Sequence, residues 1–214
     1  MKNRKKLWLG VCLLMAFALW TAAIQMIDLR PVGPNGAVVG FAGLNHFVHS
    51  ITGVHMTLYV ITDWLGLVPV AFGMGFGLLG LGQWIQRKKI AKVDRSILVL
   101  GGFYLAVMAA YLLFEGYVVN YRPVLINGYL EASYPSSTTL LVMCVMPTAA
   151  LELNGRMQKP AVRKCILWLI YGFTAFMVAG RLLSGVHWIT DIIGGGLLSA
   201  GLVLLYAGFS KKES

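Results

Sequence analysis

Apolar residues occupy six long stretches of the chain, and polar or charged residues fill the segments between them. Each stretch is close to the roughly 20 residues that an α-helix needs to cross a hydrocarbon core about 30 Å thick. Barrel strands are shorter and alternate apolar with polar positions, so these continuous stretches predict helices. The pattern predicts an all-α polytopic membrane protein with a bundle of six transmembrane helices, near residues 7–25, 65–85, 96–114, 136–153, 165–181 and 189–209.

The segment between the first two stretches, residues 26–64, is interrupted by Pro31, Pro34 and several glycines. This pattern is too broken to predict a span. We expect an extracytoplasmic loop with one or two short helices that lie in the membrane interface. No tandem repeat interrupts the chain, so residues 1–214 are expected to form a single membrane domain.

Composition excludes the main alternatives to a membrane protein. Hydrophobic residues make up 58% of the 214 residues, charged residues make up 12%, and the mean hydropathy is +0.74. A soluble protein of this size needs more charges on its surface, and a disordered chain carries fewer apolar residues. The three cysteines lie in apolar stretches without a CxxC spacing, so they indicate neither a disulfide framework nor a metal site.

The net charge is +10, and most of the positive residues form clusters that border the apolar stretches. The clusters are Lys2, Arg4, Lys5 and Lys6; Arg87, Lys88, Lys89, Lys92 and Arg95; Arg156, Lys159, Arg163 and Lys164; and Lys211 and Lys212. Such clusters are typical of cytoplasmic loops, so both termini are predicted to be cytoplasmic and no nucleic-acid partner is expected. A cleaved signal peptide is the less favoured interpretation of the first stretch, which is long for one.

Three cations lie outside these clusters: Arg30, Arg122 and Arg181. The predicted topology places them on the extracytoplasmic side, where the positive-inside rule disfavours them. Charged groups at the ends of membrane helices are costly unless they are solvated or paired, so each needs a partner or a function. The neighbouring Asp28 is a sufficient partner for Arg30. For the other two we expect phosphate binding, because guanidinium groups recognise phosphate oxygens in a planar, bidentate geometry.

Two further polar segments reach the same level of the membrane. Pro135 and Ser136 open the fourth span, and a helix whose first turn holds Pro135 would offer backbone N–H groups to an anion. His187 and Asp191 lie between the fifth and sixth spans and are four residues apart, so on a helix they would share a face. The carboxylate could then hold one imidazole nitrogen and leave the other free. This combination predicts a nucleophile next to a phosphate-binding site.

These segments resemble the type 2 phosphatidic acid phosphatase family of membrane lipid phosphatases, whose signatures are K-x6-R-P, P-S-G-H and S-R-x5-H-x3-D. The resemblance covers residues 115–191, and the plan of six helices extends it over most of the chain. The matching positions are Arg122, Pro123, Pro135, Ser136, Arg181, His187 and Asp191. The departures are Glu115 at the lysine, Ser137 at the glycine, Thr138 at the first histidine and Gly180 at the serine.

The resemblance implies a phosphatase that needs no metal and no cofactor. It implies that His187 attacks phosphorus to form a phosphohistidine and that Asp191 orients the imidazole. It also implies a set of residues that hold the phosphoryl oxygens, which here are Arg122, Arg181, Ser136 and the adjacent Ser137.

The resemblance further implies that the residue at position 138 protonates the leaving oxygen. Thr138 cannot do so near neutral pH, since its hydroxyl is far too weak an acid; Glu115 or Glu131 could substitute only with a raised pKa. An alkoxide leaving group needs that proton, and loss of the acid costs on the order of 100- to 10,000-fold in rate. A phosphate that leaves from a diphosphate is a much weaker base. We therefore predict a preference for an isoprenoid or lipid diphosphate over a monoester such as phosphatidate.

The sequence thus predicts a phosphohydrolase of the cytoplasmic membrane, with its active site on the extracytoplasmic side and membrane lipids as its partners. Two alternatives remain open. One is a catalytically weakened, regulatory protein that binds lipid phosphates, and the other is a phosphotransferase that passes the phosphoryl group from His187 to an acceptor other than water. A transporter is less consistent with the pattern, because the charged residues gather at one membrane face and not at the midplane.

Overall fold

The computed structural model describes residues 2–210 of the chain, and every regular element in that range is helical. The α-helices are α1 (Lys2–Ile24), α2 (Ala42–Thr52), α3 (Met56–Leu65), α4 (Leu67–Arg87), α5 (Arg95–Gly116), α6 (Ser137–Arg156), α7 (Pro160–Leu183) and α8 (Ile189–Phe209). Short 3-10 turns occur at Pro34–Gly36 and Ile90–Lys92. The all-α prediction is confirmed for these residues. The last predicted basic cluster, Lys211 and Lys212, lies outside them.

Six segments of the described chain are long and apolar enough to cross a membrane, which confirms the predicted number. One of them, Met56–Arg87, combines α3 and α4 and begins well before the predicted residue 65. The two helices are continuous because Gly66 between them has helical backbone angles (φ −58°, ψ −19°). The sequence pattern placed the start of the span too late in the chain because Asp63 and Gly66 interrupt the apolar run.

The segment that precedes α3 contains one further helix, α2, which packs on the start of α8. Asn45 of α2 is fully buried, and its Nδ2 donates hydrogen bonds to Gly40 O (2.8 Å) and to Thr190 Oγ1 (3.0 Å). Upstream, Arg30 forms the expected ion pair with Asp28, with 2.7 Å between Nε and Oδ1. Residues 26–64 therefore contain one short helix, α2, that is fastened to the bundle, whereas residues 56–64 belong to the second candidate span and not to a loop.

Helices α6 and α8 form the centre of the bundle, and about half of each spanning segment is buried, far more than in the other helices. Glycines allow close approach along α8: a Cβ at Gly201 would lie 2.8 Å from Leu14 of α1. A Cβ at Gly194 would clash with the ring of Tyr134, which packs over the N-terminal part of α8. This packing anchors the segment before α6 against α8, and that junction carries the candidate site.

Candidate active site

The connection between α5 and α6 folds back on itself as a hairpin of residues 120–133. Backbone hydrogen bonds run from Arg122 N to Glu131 O (3.1 Å) and from Ser133 N to Asn120 O (2.9 Å). Trp188, directly before α8, donates from Nε1 to the carbonyl of Tyr121 (2.7 Å). The hairpin is therefore tied to the α7–α8 turn, and the three motif segments meet at one end of the bundle.

A polar cavity of about 290 Å³ opens at this junction. Its lining includes Arg122, His187, Ser137, Glu115 and Glu131, all of which were predicted from the sequence. The structure thus brings residues from α5, the hairpin, α6 and the α7–α8 turn to one hollow. Neither Arg181 nor Asp191 lines it; both are buried behind it, with exposures of 1% and 0%.

Arg181 is held by α3, a helix that the sequence analysis assigned to a loop. Its guanidinium carbon lies 4.9 Å from the ring centroid of Tyr59, close enough for a cation–π interaction. Its Nη1 is 3.7 Å from Asp63 Oδ1 and 3.4 Å from Thr62 Oγ1. Three residues from two consecutive turns of α3 therefore surround one guanidinium group.

Arg122 approaches the same aromatic ring from the hairpin. Its guanidinium carbon is 5.9 Å from the Tyr59 centroid, and its Nε is 3.2 Å from Glu131 Oε2. Even so, Nε and Nη1 of Arg122 and Nε of Arg181 are buried with no hydrogen-bond partner. Two guanidinium groups on one ring with unused donors form a site that an anion can complete.

His187 and Asp191 are adjacent, but the predicted direct hydrogen bond between them is absent. His187 Nδ1 lies 3.8 Å from Asp191 Oδ2, beyond hydrogen-bond range. The helical-spacing argument fails because α8 begins only at Ile189, so His187 precedes the helix. Asp191 Oδ2 instead accepts hydrogen bonds from Trp188 N (2.9 Å) and Ser133 Oγ (2.5 Å), and Ser133 Oγ is 3.1 Å from His187 Nδ1.

The imidazole of His187 is suited to act as a nucleophile. Its Nε2 is buried and has no hydrogen-bond partner. Burial lowers the pKa of His187 from 6.5 to about 4; the Asp191 carboxylate opposes this shift, and the charges of Arg122 and Arg181 reinforce it. The ring is therefore neutral at physiological pH, with one nitrogen available.

The start of α6 differs in detail from the prediction. The helix begins at Ser137, so Ser136 is the N-cap residue and Pro135 lies outside the first turn. Ser136 is fully buried and does not line the cavity: its N–H donates to Asp191 O (3.2 Å), and its Oγ accepts from Thr139 Oγ1 (3.0 Å). Of the two serines, Ser137 is the one that faces the cavity.

A largely apolar groove of about 440 Å³ adjoins the polar cavity between α4, α5 and α6. The two spaces share Tyr111, Ser137 and Leu140. Thr138, at the family's general-acid position, lines the groove and not the polar cavity. The groove is large enough and apolar enough to hold one part of an apolar molecule whose polar end is bound by Arg122 and Arg181.

Four residues at the site were missed or not assigned a role by sequence reasoning: Tyr59, Thr62, Asp63 and Ser133. Tyr59 and Asp63 are four residues apart in an apolar stretch, a spacing that places both on one face of a helix and could have marked α3 as a site element. Ser133 has no comparable signal, because its position next to Asp191 depends on the hairpin.

Comparisons with known proteins identify the family and the fold of the chain. The family model of the PAP2 superfamily matches residues 103–214, more than half of the chain. Phosphatidylglycerophosphatase B of Bacillus subtilis (strain 168) is 25% identical over 201 residues, which cover 94% of this chain and 91% of that protein. A crystal structure of a transmembrane PAP2-type phosphatidylglycerolphosphate phosphatase from Bacillus subtilis is 20% identical and covers 93% of both chains with a TM-score of 0.51, a similarity of fold. The chain is a multi-pass membrane protein that belongs to the PAP2 superfamily, in agreement with its sequence motifs.

Proposed function

We propose that the protein is a lipid phosphohydrolase that releases phosphate through a phosphohistidine intermediate and prefers an isoprenoid or lipid diphosphate to a monoester. The proposal rests on one observation. His187, whose Nε2 has no hydrogen-bond partner, lines the same cavity as Arg122, whose Nε and Nη1 also have no hydrogen-bond partner. A nucleophile and a phosphate-binding group thus share one polar hollow.

The chemistry needs two displacements at phosphorus. His187 Nε2 attacks the phosphorus, the N–P bond forms, and the P–O bond to the leaving group breaks with its electron pair on the leaving oxygen. A water molecule then attacks the same phosphorus, the N–P bond breaks, and the pair returns to Nε2 as phosphate and a proton are released. Arg122 and Arg181 would hold the phosphoryl oxygens throughout, because charge builds up on them in both steps.

The groove beside the cavity supports a lipid substrate. It lies between spanning helices and is lined mainly by apolar residues such as Val70, Met74 and Val107. A phosphate group bound by the arginines would place an attached hydrocarbon chain next to this groove. A small soluble phosphate ester would leave the groove empty and lose that binding energy.

The diphosphate preference rests on the leaving group. Thr138 offers no acid at the position where the family has histidine. Two carboxylates line the cavity, but Glu131 lies beside Arg122 and Glu115 is exposed, so neither takes the place of that histidine. An alkoxide would therefore leave without a proton, whereas the phosphate of a diphosphate leaves as a weak base. The monoester phosphatidylglycerophosphate is the competing substrate, since the Bacillus subtilis relative is named for it.

Phosphate release by the purified protein decides between these substrates. We expect kcat/KM for a polyprenyl diphosphate to exceed that for phosphatidylglycerophosphate and for phosphatidate by about 100-fold or more, the range of a missing general acid. His187→Ala is the matched control and should abolish release from all three. Faster hydrolysis of either monoester would refute the diphosphate preference but leave the phosphohydrolase intact.

A lipid-binding protein without turnover is the second candidate, and Thr138 and Glu115 at altered motif positions favour it. It predicts that wild type and His187→Ala bind lipid phosphate equally and that neither releases phosphate. Acid-labile radiolabel that appears on wild type but not on His187→Ala, after incubation with ³²P-labelled diphosphate, would eliminate this candidate.

We further propose that the site faces the extracytoplasmic side of the cytoplasmic membrane, with both termini in the cytoplasm. The basic clusters at 87–95 and 156–164 lie at the opposite ends of α5 and α6 from the cavity, which supports this orientation. Tyr129, at the exposed tip of the hairpin, and Ile90, between α4 and α5, provide opposite reporters.

Cysteine labelling of intact cells tests the orientation. In a chain with Cys12, Cys144 and Cys165 replaced by serine, a membrane-impermeant maleimide should modify Tyr129→Cys from outside and should reach Ile90→Cys only after the cells are opened. The reverse pattern would invert the topology.

A further inference from the structure

Ser133 lies between the two residues that the sequence predicts to act together, although no signature motif includes it. Its Oγ is 2.5 Å from Asp191 Oδ2 and 3.1 Å from His187 Nδ1. The direct distance between His187 Nδ1 and Asp191 Oδ2 is 3.8 Å, too long for a hydrogen bond. Ser133 is 2% exposed, so bulk water does not compete for these contacts. The serine hydroxyl is the connection between the imidazole and the carboxylate.

The chemistry of the neighbours determines where the hydroxyl proton lies. A carboxylate can only accept a hydrogen bond, and the distance to Asp191 fits an O–H···O⁻ contact. Ser133 therefore donates to Asp191, and its oxygen accepts from His187. A neutral His187 must then carry its proton on Nδ1, which leaves the lone pair on Nε2, the nitrogen without a partner.

The position of the hydroxyl is fixed by its surroundings. The N–H of Ser133 donates to the carbonyl of Asn120 (2.9 Å) across the hairpin. The next residue, Tyr134, is buried, its ring stacks on Phe17, and its hydroxyl is 2.7 Å from Thr21 Oγ1. Ser133 is thus held from both sides by contacts that do not involve a substrate.

We propose that Ser133 is a positioning residue that holds His187 in the Nδ1–H tautomer and couples its ring to Asp191. This inference deepens the proposed function and rests on it. When the Nε2–P bond forms and the electron pair of the P–O bond leaves with the oxygen, the ring becomes a positively charged phosphoimidazolium. The Nδ1–H donated to Ser133, and the Ser133 proton donated to Asp191, stabilise that charge. When water displaces the phosphate, the pair returns to Nε2 and Nδ1 keeps its proton.

The tautomer can be measured without turnover. In ¹⁵N-histidine-labelled protein at neutral pH, we expect Nδ1 of His187 to be the protonated nitrogen and Nε2 the bare one, with the signals assigned by their loss in His187→Gln. Ser133→Ala should shift the signals toward the Nε2–H tautomer. An Nε2–H tautomer in wild type would overturn the inference even if the alanine variant failed to fold.

Kinetics provide the second readout. Removal of one charge-assisted hydrogen bond in Ser133→Ala should lower kcat by about 10- to 100-fold and leave KM unchanged. If Ser133 links Asp191 to the ring, Ser133→Ala should have little further effect on the kcat of Asp191→Asn. Ser199→Ala removes another fully buried serine hydroxyl, on α8, and serves as the control that leaves kcat unchanged.

The outcomes separate this inference from the proposed function. If the protein shows no turnover but has the Nδ1–H tautomer, and Ser133→Ala loses this tautomer, the proposed function is refuted and the role of Ser133 between His187 and Asp191 is supported. If the protein turns over substrate but Ser133→Ala leaves the tautomer unchanged, the proposed function stands and the role of Ser133 is refuted. Additive losses of kcat in the double variant Ser133→Ala, Asp191→Asn would have the same meaning. A rise in KM alone would make Ser133 a phosphate contact and overturn the positioning role.

Discussion

At the scale of single residues, the candidate site keeps ionisable groups in protonation states that suit phosphoryl transfer. His187 is buried close to two guanidinium groups, so a proton on its ring is unfavourable on both counts. Arg122 and Arg181 retain unused donors although they are buried. A neutral base next to unsatisfied cations favours an incoming phosphate dianion over water.

The titration of His187 tests this account. Burial lowers the pKa of His187 to about 4, against an ordinary 6.5, so the ring should remain neutral as the pH falls from 7 to 5 and should gain its proton only near pH 4. The same shift should reduce stability as the pH falls from 6.5 to about 4, because the unfolded chain binds the proton first. ¹⁵N shifts of the His187 ring across this range measure the midpoint. A midpoint near 6.5 would mean that water reaches the ring.

At the scale of elements, motif spacing predicted the parts of the site that are local in sequence. Arg181, His187 and Asp191 lie in one short segment that runs from the end of α7 through the turn to the start of α8, and these residues were named from the sequence. The role of α3 was not found, because its apolar pattern is interrupted by Asp63 and its contacts with Arg181 join residues more than a hundred positions apart. Such contacts depend on how helices pack, which the pattern of one segment does not specify.

Substitution of Tyr59 tests whether α3 positions the arginines. Tyr59→Ala removes the ring shared by the two guanidinium groups and should raise KM about 5- to 30-fold, the equivalent of about 1 to 2 kcal/mol of cation–π interaction in a desolvated site. Tyr59→Phe keeps the ring and is the matched control, with KM near that of wild type. Steady-state kinetics on the preferred lipid substrate give both values. Equal KM values for wild type and Tyr59→Ala would show that the arginines are held without the Tyr59 ring.

At the scale of the whole molecule, the two ends of the bundle differ in how well their polar groups are paired. At the end away from the cavity, Glu152 accepts hydrogen bonds from Tyr206 (2.5 Å), Ser96 (3.0 Å) and Arg156 (2.9 Å). Within the described residues, the buried side-chain atoms without a hydrogen-bond partner all lie at the site end, in Asn120, Arg122, Arg181, His187 and Asp191. Each such group lowers the free energy of unfolding by about 1 to 3 kcal/mol, so the end of the bundle where phosphate would bind is the less stable one.

This difference predicts that an anion stabilises the whole bundle. Inorganic phosphate should raise the thermal unfolding midpoint of the wild-type protein in detergent, by the equivalent of about 2.7 kcal/mol at 100 times its Kd. Arg181→Met removes a buried cation whose Nε has no hydrogen-bond partner, so this variant should lose the phosphate response. Glu152→Gln should lower the midpoint but keep the phosphate response, because its network lies at the opposite end. Scanning fluorimetry measures all three, and an equal phosphate shift in Arg181→Met would show that the anion binds elsewhere.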